Sequence, residues 1–410
     1  MYKRSGLHGY HRGKPLCKSI SERYPDTGQI IAMIYFDNSA TTRVFDEAAS
    51  VAVSYMREGY FNPSAAYSPA VSVEREVNLA RGRLASYFRA EPSELIFTSG
   101  GTESNNIALS GTLAQRRDKC RIITTAVEHP SVYEPVNALK SSGYDVVIVG
   151  VDEFGRVDAS ALEAALTDNT GFVSIMHVNN EVGAINDINA LYALVKSRAP
   201  GAVFHSDGVQ AFLKLPAVRC DMYSFSGHKL HAPKGVGGLF VKRGVKFAGG
   251  QMGGGQENNL RSGTTNVPSI MALDTAANIY MKHHGEYMAA MRDVKLRLYN
   301  NLTRINDVVL NGPSPEEGAS YILNMSFLGV RGEVLLNSLS EKGLLVSTGS
   351  ACAARHRGKN RILTAMGIKD ARQDGAIRFS FSPENTVEEA DKAAQMIEDS
   401  LSVLRRFRRR

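Results

Sequence analysis

Cysteine is scarce in this chain. Cys17, Cys120, Cys220 and Cys352 are the only four in 410 residues, and they occur at unrelated positions that give neither a disulfide framework nor paired metal-ligand spacing. They read as free thiols, and no metal site is expected. Long hydrophobic runs are missing too. The longest near the N-terminus, from Ile30 to Phe36 and interrupted only by Tyr35, falls far short of a bilayer span. The first thirty or so residues begin with basic side chains but lack the apolar segment of a secretory signal. A cytoplasmic protein with no membrane association is expected.

Acidic charge is in slight deficit, with a net charge of +7, but the excess sits at the two ends. Residues 1–33 carry six Lys/Arg against Glu22 and Asp26, and the terminal LRRFRRR adds five arginines, so the body between them is slightly acidic. A terminal arginine run is ordinarily a solvated tail, and no nucleic-acid partner is expected. A hydrophobic content of 43% is that of an ordinary globular protein, in a chain long enough for two or three domains. Residues 1–32 show no periodicity and read as a poorly ordered extension. Strand-like runs then alternate with helical stretches: Leu95–Thr98, Arg121–Ala126, Val146–Val149, Phe172–Val178, Ala202–His205, Tyr223–Ser226 and Gly238–Val241. Several are apolar throughout, as strands covered on both faces are. The pattern predicts an α/β protein with a largely parallel, doubly wound sheet, Phe172–Val178 at its centre, and a smaller α+β unit after about Glu286. The resulting division is residues 33–45 as an N-terminal segment joining the small domain, 46–285 as the large domain, 286–404 as the small domain and 405–410 as a basic tail. Apolar spacing also predicts helices from Asp46 to about Arg57 and over Val73–Phe88.

The sequence turns on SFSGHKLHAPKGVGGLFV, Ser224–Val241. It reads as two buried strands joined through a tight turn that holds Lys229. A desolvated lysine loses its proton readily, and its neutral amine can form a Schiff base with a carbonyl. Ser226 and Gly227 leave room for a phosphate or ring, and His228 is a donor beside it. The same residues also suit a surface hairpin with a solvated lysine. TSGGTESNN, Thr98–Asn106, links a strand to a helix and can offer backbone N–H groups at Gly101 and the Thr102 hydroxyl to a phosphate. It is neither a Walker loop nor a GxGxxG turn, which counts against ATP and nicotinamide dinucleotides.

Polar residues gather at other carboxyl strand ends, where open α/β sheets bind ligands. Asp207 in SDGVQ can pair with a protonated pyridine nitrogen or cap a helix; Gln210 can reach a phenolic oxygen. His129 in VEHPS suits ring stacking or proton movement, and Asn180 lies in HVNNEVG. Arg378, in the strand-like GAIRFSFS, can hold a substrate carboxylate through two hydrogen bonds or sit in a buried ion pair. Cys352 lies among small and basic residues, with Arg355, His356, Arg357 and Lys359 nearby, and positive charge favours a reactive thiolate.

In order along the chain, YFDNSATT, FNPS, FTSGGTESNN, EHPSV, SIMHVNNEVG, HSDGVQ, SFSGHKLHAPKGVG, RSGTTNVP, GSAC and IRFSFS resemble the cysteine desulfurase family, NifS/IscS-like members of the class V aminotransferase group. The resemblance spans about Met33 to Val403 and implies the type I fold of transferases that use pyridoxal 5'-phosphate (PLP). It implies that Lys229 anchors PLP, Asp207 pairs with its ring nitrogen and Gln210 contacts its phenolic oxygen. By the same resemblance His129 stacks on the ring and relays protons, while Asn180 helps place the substrate. Thr102, Ser226 and His228 hold the phosphate, Thr264 reaches it from the second subunit of a homodimer, and Arg378 takes the substrate carboxylate. The implied reaction turns L-cysteine into L-alanine, leaving a persulfide on Cys352 for a sulfur acceptor such as an iron-sulfur scaffold protein. A selenocysteine lyase or an aminotransferase of the same fold is the alternative. Tyr67 stands near the place where the family commonly has a histidine. The length of the Cys352 loop matches the long-loop subgroup.

Overall fold

The computed structural model describes residues 33–349 and 360–407. Twelve strands are described within these residues. They are β1 (Ile34–Tyr35), β2 (Leu95–Thr98), β3 (Arg121–Thr125), β4 (Asp145–Val149), β5 (Thr170–Ser174), β6 (Val203–Asp207), β7 (Met222–Ser226), β8 (Gly237–Val241), β9 (Val308–Asn311), β10 (Ile322–Phe327), β11 (Leu344–Leu345) and β12 (Ala376–Ser380). Seven form one sheet in the order β2-β8-β7-β6-β5-β3-β4. From β4 to β7 each pairing is parallel, and β8 runs antiparallel between β7 and β2. Six of the seven carboxyl ends therefore share one edge. The α/β class and the largely parallel sheet follow the sequence pattern because LIFT, TGFVS and MYSFS are buried at every position, leaving only backbone groups to pair sideways.

Two expectations need correction. The centre of the sheet is β6, and β5 is shorter than Phe172–Val178 because it ends at Ser174. Ile175, Met176 and Val178 stay buried, and the Ile175 and His177 N–H groups still donate to the β6 carbonyls of His205 (3.1 Å) and Asp207 (2.9 Å), but the Met176 N–H on the other side is taken by the Glu128 carboxylate (2.8 Å), so the pairing toward β3 stops there. Continuous hydrophobicity reported burial there and not where the pairing with β3 ends. The helix expected over Val73–Phe88 runs Ser68–Ser86: Pro69 falls in its first turn, where a missing N–H costs nothing.

The helices that bear on the site are α1 (Asp46–Arg57), α2 (Ser68–Ser86), α3 (Gly101–Leu113) and α4 (Pro130–Ser141). On α2 the buried side chains Val73, Val77, Ala80 and Leu84 recur every three or four residues and make one apolar stripe. A smaller antiparallel sheet, β12-β10-β9, follows in the C-terminal part. The start of the described chain is tied to that part: β1 pairs with β11, and the Ser380 N–H donates to the Phe36 carbonyl (2.8 Å). From Ile34 onward the chain packs as one compact unit.

Packing under the sheet edge is tight at Gly208, the residue after β6. A methyl group there would lie 1.8 Å from the ring of Tyr223, which is wholly buried and bonded through its hydroxyl to His177 Nδ1 (2.9 Å). Gly208→Ala is expected to cost about 1–3 kcal/mol of stability, since either the backbone beside Asp207 or the Tyr223 ring must shift. Urea unfolding of the variant against the parent protein measures it.

Candidate active site

The shared edge of strand ends opens into a cavity of about 390 Å³. Each element delivers its groups there for a local reason. At the end of β6, Asp207 accepts from the Val209 N–H (3.0 Å) through one oxygen, and the turn that follows brings in Gln210. At the end of β7, Ser226 leads into a 3-10 turn, Gly227–Lys229, that points His228 and Lys229 into the cavity. Past β2, Gly101 and Thr102 open α3, whose first-turn N–H groups have no acceptor within the helix. His129 is the N-cap of α4, and Asn180 arrives on the chain beyond β5. Arg378 enters from β12 in the other sheet.

Lys229 donates to the carbonyls of Ser39 (2.5 Å) and Ala40 (2.7 Å). Burial, then the charges of Arg378 and Lys214, bring its ammonium down to about 7. Burial likewise lowers His129, and it takes His228, beside the charges of Lys229 and Lys234, down to about 3. His228 is therefore neutral, and it can serve an anion through an N–H but not as a cation. Arg378 is almost wholly buried. It donates to Asp37 Oδ1 (2.6 Å) and to the Asn180 carbonyl (3.0 Å), and its Nε has no partner. The two readings of Arg378 thus meet: it is in a buried ion pair and still has N–H groups to offer. Three more buried polar atoms on the cavity residues lack partners, Ser39 Oγ, Asn180 Oδ1 and Gln210 Oε1.

PLP fits this set. A helix N-terminus with the Ser226 and Thr102 hydroxyls suits its phosphate, the Asp207 carboxylate suits its ring nitrogen, and Lys229 suits its aldehyde. Among the described residues no group of three or more His, Cys, Asp or Glu side chains is placed to hold a metal ion. Thr264 is exposed and does not line the cavity of its own chain. Cys352, with the basic residues around it, lies outside the described residues. The two ends of that segment meet at Glu181. Its carboxylate accepts from Asn360 Nδ2 (2.7 Å), and a methyl group added at Gly349 would lie 3.0 Å from each of those two atoms.

Sequence reasoning missed Asp37, the Ser39 and Ala40 carbonyls, Asn105, Ser131 and Arg361. Asn105 Nδ2 donates to both Asp207 Oδ2 and Ser131 Oγ, each at 2.8 Å. Arg361 donates to the carbonyls of Ala126 and Glu128 and lies over the Tyr133 ring at 3.9 Å, pinning the segment that carries His129. The quoted motifs contained several of these residues, but a backbone carbonyl or a bridging amide leaves no signal in residue type.

Comparison with known proteins adds to this geometry. The family model described as aminotransferase class-V matches residues 34–393. A curated relative named cysteine desulfurase 2, from Trichormus variabilis, is 40% identical over 382 residues, 92% of this chain and 94% of the relative. A solved structure described as a NifS-like protein superposes with a TM-score of 0.85 at 36% identity, covering 91% of this chain and all of the other. Another, SspA in complex with cysteine, gives 0.76 at 30% identity over 85% of this chain and 99% of its own.

The lowered lysine has a direct consequence. An ordinary lysine amine becomes nucleophilic only as pH nears about 10.4, whereas Lys229 is half neutral at about 7. In the cofactor-free protein, the reaction of Lys229 with a small aldehyde should rise through pH 7 and be flat above about pH 8, one unit beyond that midpoint. Peptide mass spectrometry after borohydride trapping follows it, and a rise that continued to pH 10 would contradict the assignment.

Proposed function

Because the chain belongs to the class-V aminotransferase family and is similar along nearly its whole length to cysteine desulfurases, we propose that it takes sulfur from L-cysteine, leaving L-alanine. It is a PLP enzyme, and the observation that carries the reading is the convergence of Lys229, Asp207 and Gln210 on one cavity with the lysine held near neutrality. When bound, the cofactor supplies an electron sink for the bonds broken at the substrate's α and β carbons.

The protein's own groups divide the remaining work. Lys229 anchors the cofactor and, once displaced by the substrate amine, stands free as the base that moves the α-proton; an amine with a midpoint near 7 is poised for both directions. The Asp207 carboxylate would pair with the ring nitrogen and favour its protonated form. His129 would stack on the ring, and Thr102, Ser226 and His228, which line the cavity at the start of α3, would hold the phosphate. Arg378 offers its Nε–H side to the substrate carboxylate, with Asn180 beside it. The Cys352 thiolate attacks the substrate sulfur. The carbon–sulfur bond breaks, its electron pair goes to carbon, and the sulfur stays on Cys352 as a persulfide that an acceptor protein collects. Cys352 follows Gly349, which lines the cavity, three positions along the chain.

A homodimer completes the phosphate site. Thr264 is free on the surface, and α1, α2 and the segment between them expose Val53, Met56, Tyr60, Tyr67 and Leu79, a concentration of apolar side chains that a second subunit would cover. We place the protein in the cytoplasm; no helix among the described residues is long and apolar enough to cross a membrane.

Three outcomes test the reading. Lys229→Ala should lose the visible absorption and the borohydride-reducible link to the cofactor, and a variant that kept them would sink the anchor. Cys352→Ser should keep the cofactor but lose alanine and sulfide production by orders of magnitude. A persulfide found by mass spectrometry on Cys120 or Cys220, both buried, would overturn the sulfur route. Thr264→Ala should weaken cofactor retention without removing the covalent link, and sedimentation of an active monomer would remove the case for the shared site.

A further inference from the structure

His129 is held from behind by a chain of hydrogen bonds whose direction can be read from its fixed end. An ionised carboxylate only accepts, so the group that Asn105 turns toward Asp207 Oδ2 (2.8 Å) is its NH₂. The second hydrogen of that NH₂ goes to Ser131 Oγ (2.8 Å), and Asn105 Oδ1 is left buried without a partner. The orientation is worth that cost because the reverse would set an amide oxygen against the carboxylate. With Ser131 Oγ accepting from Asn105, the serine's own hydrogen is free for His129 Nδ1, 2.7 Å away. The Ser131 peptide N–H points at the same nitrogen (3.2 Å). Asn105 and Ser131 are buried, so water does not compete for these bonds.

Nδ1 therefore receives two donors. One is a peptide N–H that cannot turn away without unmaking the start of α4. A proton on Nδ1 would face that N–H even with the Ser131 hydroxyl turned to accept. The ring's hydrogen is left to Nε2, which has no protein partner among the described residues while the ring lines the cavity.

We propose that Asn105 and Ser131 are positioning residues that, aligned by Asp207, lock His129 as the neutral tautomer with its hydrogen on Nε2. The ring then presents the cavity with a hydrogen-bond donor and is closed to protonation. In this tautomer Nε2 donates and cannot take up a proton until the contacts at Nδ1 are remade. Its catalytic meaning rests on the reading of the cavity as a PLP site; the hydrogen-bond geometry does not.

The charged groups around the ring come from several elements. Asp207 on β6 favours the protonated form, whereas Lys229 on the 3-10 turn and Arg361 oppose it, in the same direction as burial. Neutral His228 is close by, and Glu128, whose carboxyl burial raises to about 8, lies one residue back with one oxygen bonded to Thr125 and the Met176 N–H. The fixed donors at Nδ1 add to the opposing set.

The test is nitrogen NMR of protein labelled with ¹⁵N in the histidine rings, as holoenzyme and after cofactor removal, with His129 assigned through its loss in His129→Gln. The expected result is an Nε2–H tautomer in both forms with no titration between about pH 5.5 and 8, the range in which a free imidazole changes charge. An Nδ1–H tautomer, or an imidazolium at pH 7, overturns the proposal. Ser131→Ala removes the hydroxyl donor and keeps the peptide N–H. It should raise the His129 midpoint by about one unit, a tenfold gain in imidazolium at a given pH, and Ser131→Thr should restore the parent behaviour. If Ser131→Ala leaves tautomer and midpoint unchanged, the hydroxyl does not position the ring and the proposal fails. The parent measurement needs no variant, so it decides the tautomer even if Ser131→Ala folds poorly. A correct tautomer in a protein that made no alanine from cysteine would sink the functional reading and leave this one standing.

Discussion

Everything at the site depends on keeping an amine out of water. A lysine side chain in solvent is a cation and reacts with nothing; Lys229 is brought near neutrality because its stem is buried and two further cations, Arg378 and Lys214, stand close enough to oppose its charge. Lys214 is itself buried over the Tyr321 ring at 4.4 Å and is lowered to about 7 by burial, so its opposition weakens as pH rises through the same range. What keeps the amine in place is not a carboxylate, which would raise its pKa, but two peptide carbonyls. Ser39 and Ala40 orient the nitrogen with dipoles and leave its lone pair accessible once the proton goes.

Those carbonyls belong to a segment that ties the two sheets together. Within residues 36–45, Phe36 and Ser39 bond to Ser380, Asp37 holds Arg378, Thr42 bonds to the His228 carbonyl and Phe45 to that of His231. The cavity-lining arginine on β12 and the lysine turn after β7 are thus held by one short stretch of backbone. A displacement of either sheet would be felt at both. The Asp37–Arg378 pair is buried on its arginine side, and removing the aspartate alone would strand a desolvated guanidinium, a far larger loss than that of an exposed pair.

This arrangement explains which parts could be read from the sequence. The lysine stretch was legible because two apolar runs flank a polar turn, and the carboxyl-edge rule then placed Asp207, Gln210, His129 and Asn180 at the right ends of the right strands; all four line the cavity. The extent of β5 was not legible, since Ile175 and Met176 are as buried as strand residues although a carboxylate has taken the next ladder N–H. Nor were the supports. Asn105 meets Asp207 across 102 residues, Lys229 meets Ser39 across 190 and Arg378 meets Asp37 across 341. No periodicity connects such pairs, and only the fold brings them together. The family resemblance supplied roles for the groups that touch the cofactor but none for those that hold them.

The same logic bears on the sulfur route. A group that must both reach the cavity and deliver sulfur elsewhere cannot sit on the rigid sheet edge, where Lys229 and Asp207 are. Residues 350–359 begin at Gly349 and end at Asn360, and both ends are fixed against Glu181, which is buried in the wall beyond β5. Gly349 takes φ = 109°, a left-handed conformation that a side chain would strain, and the space beside it is already filled by the Glu181 carboxylate and the Asn360 amide. After its return the chain is fastened at once, by the Asn360 cap on the following helix and by Arg361 on the carbonyls of Ala126 and Glu128. Arg361 thereby joins the chain that returns after residues 350–359 to the strand end that carries His129. The residues on either side of those ten are thus fixed to the same wall that positions Lys229, Asp207 and His129.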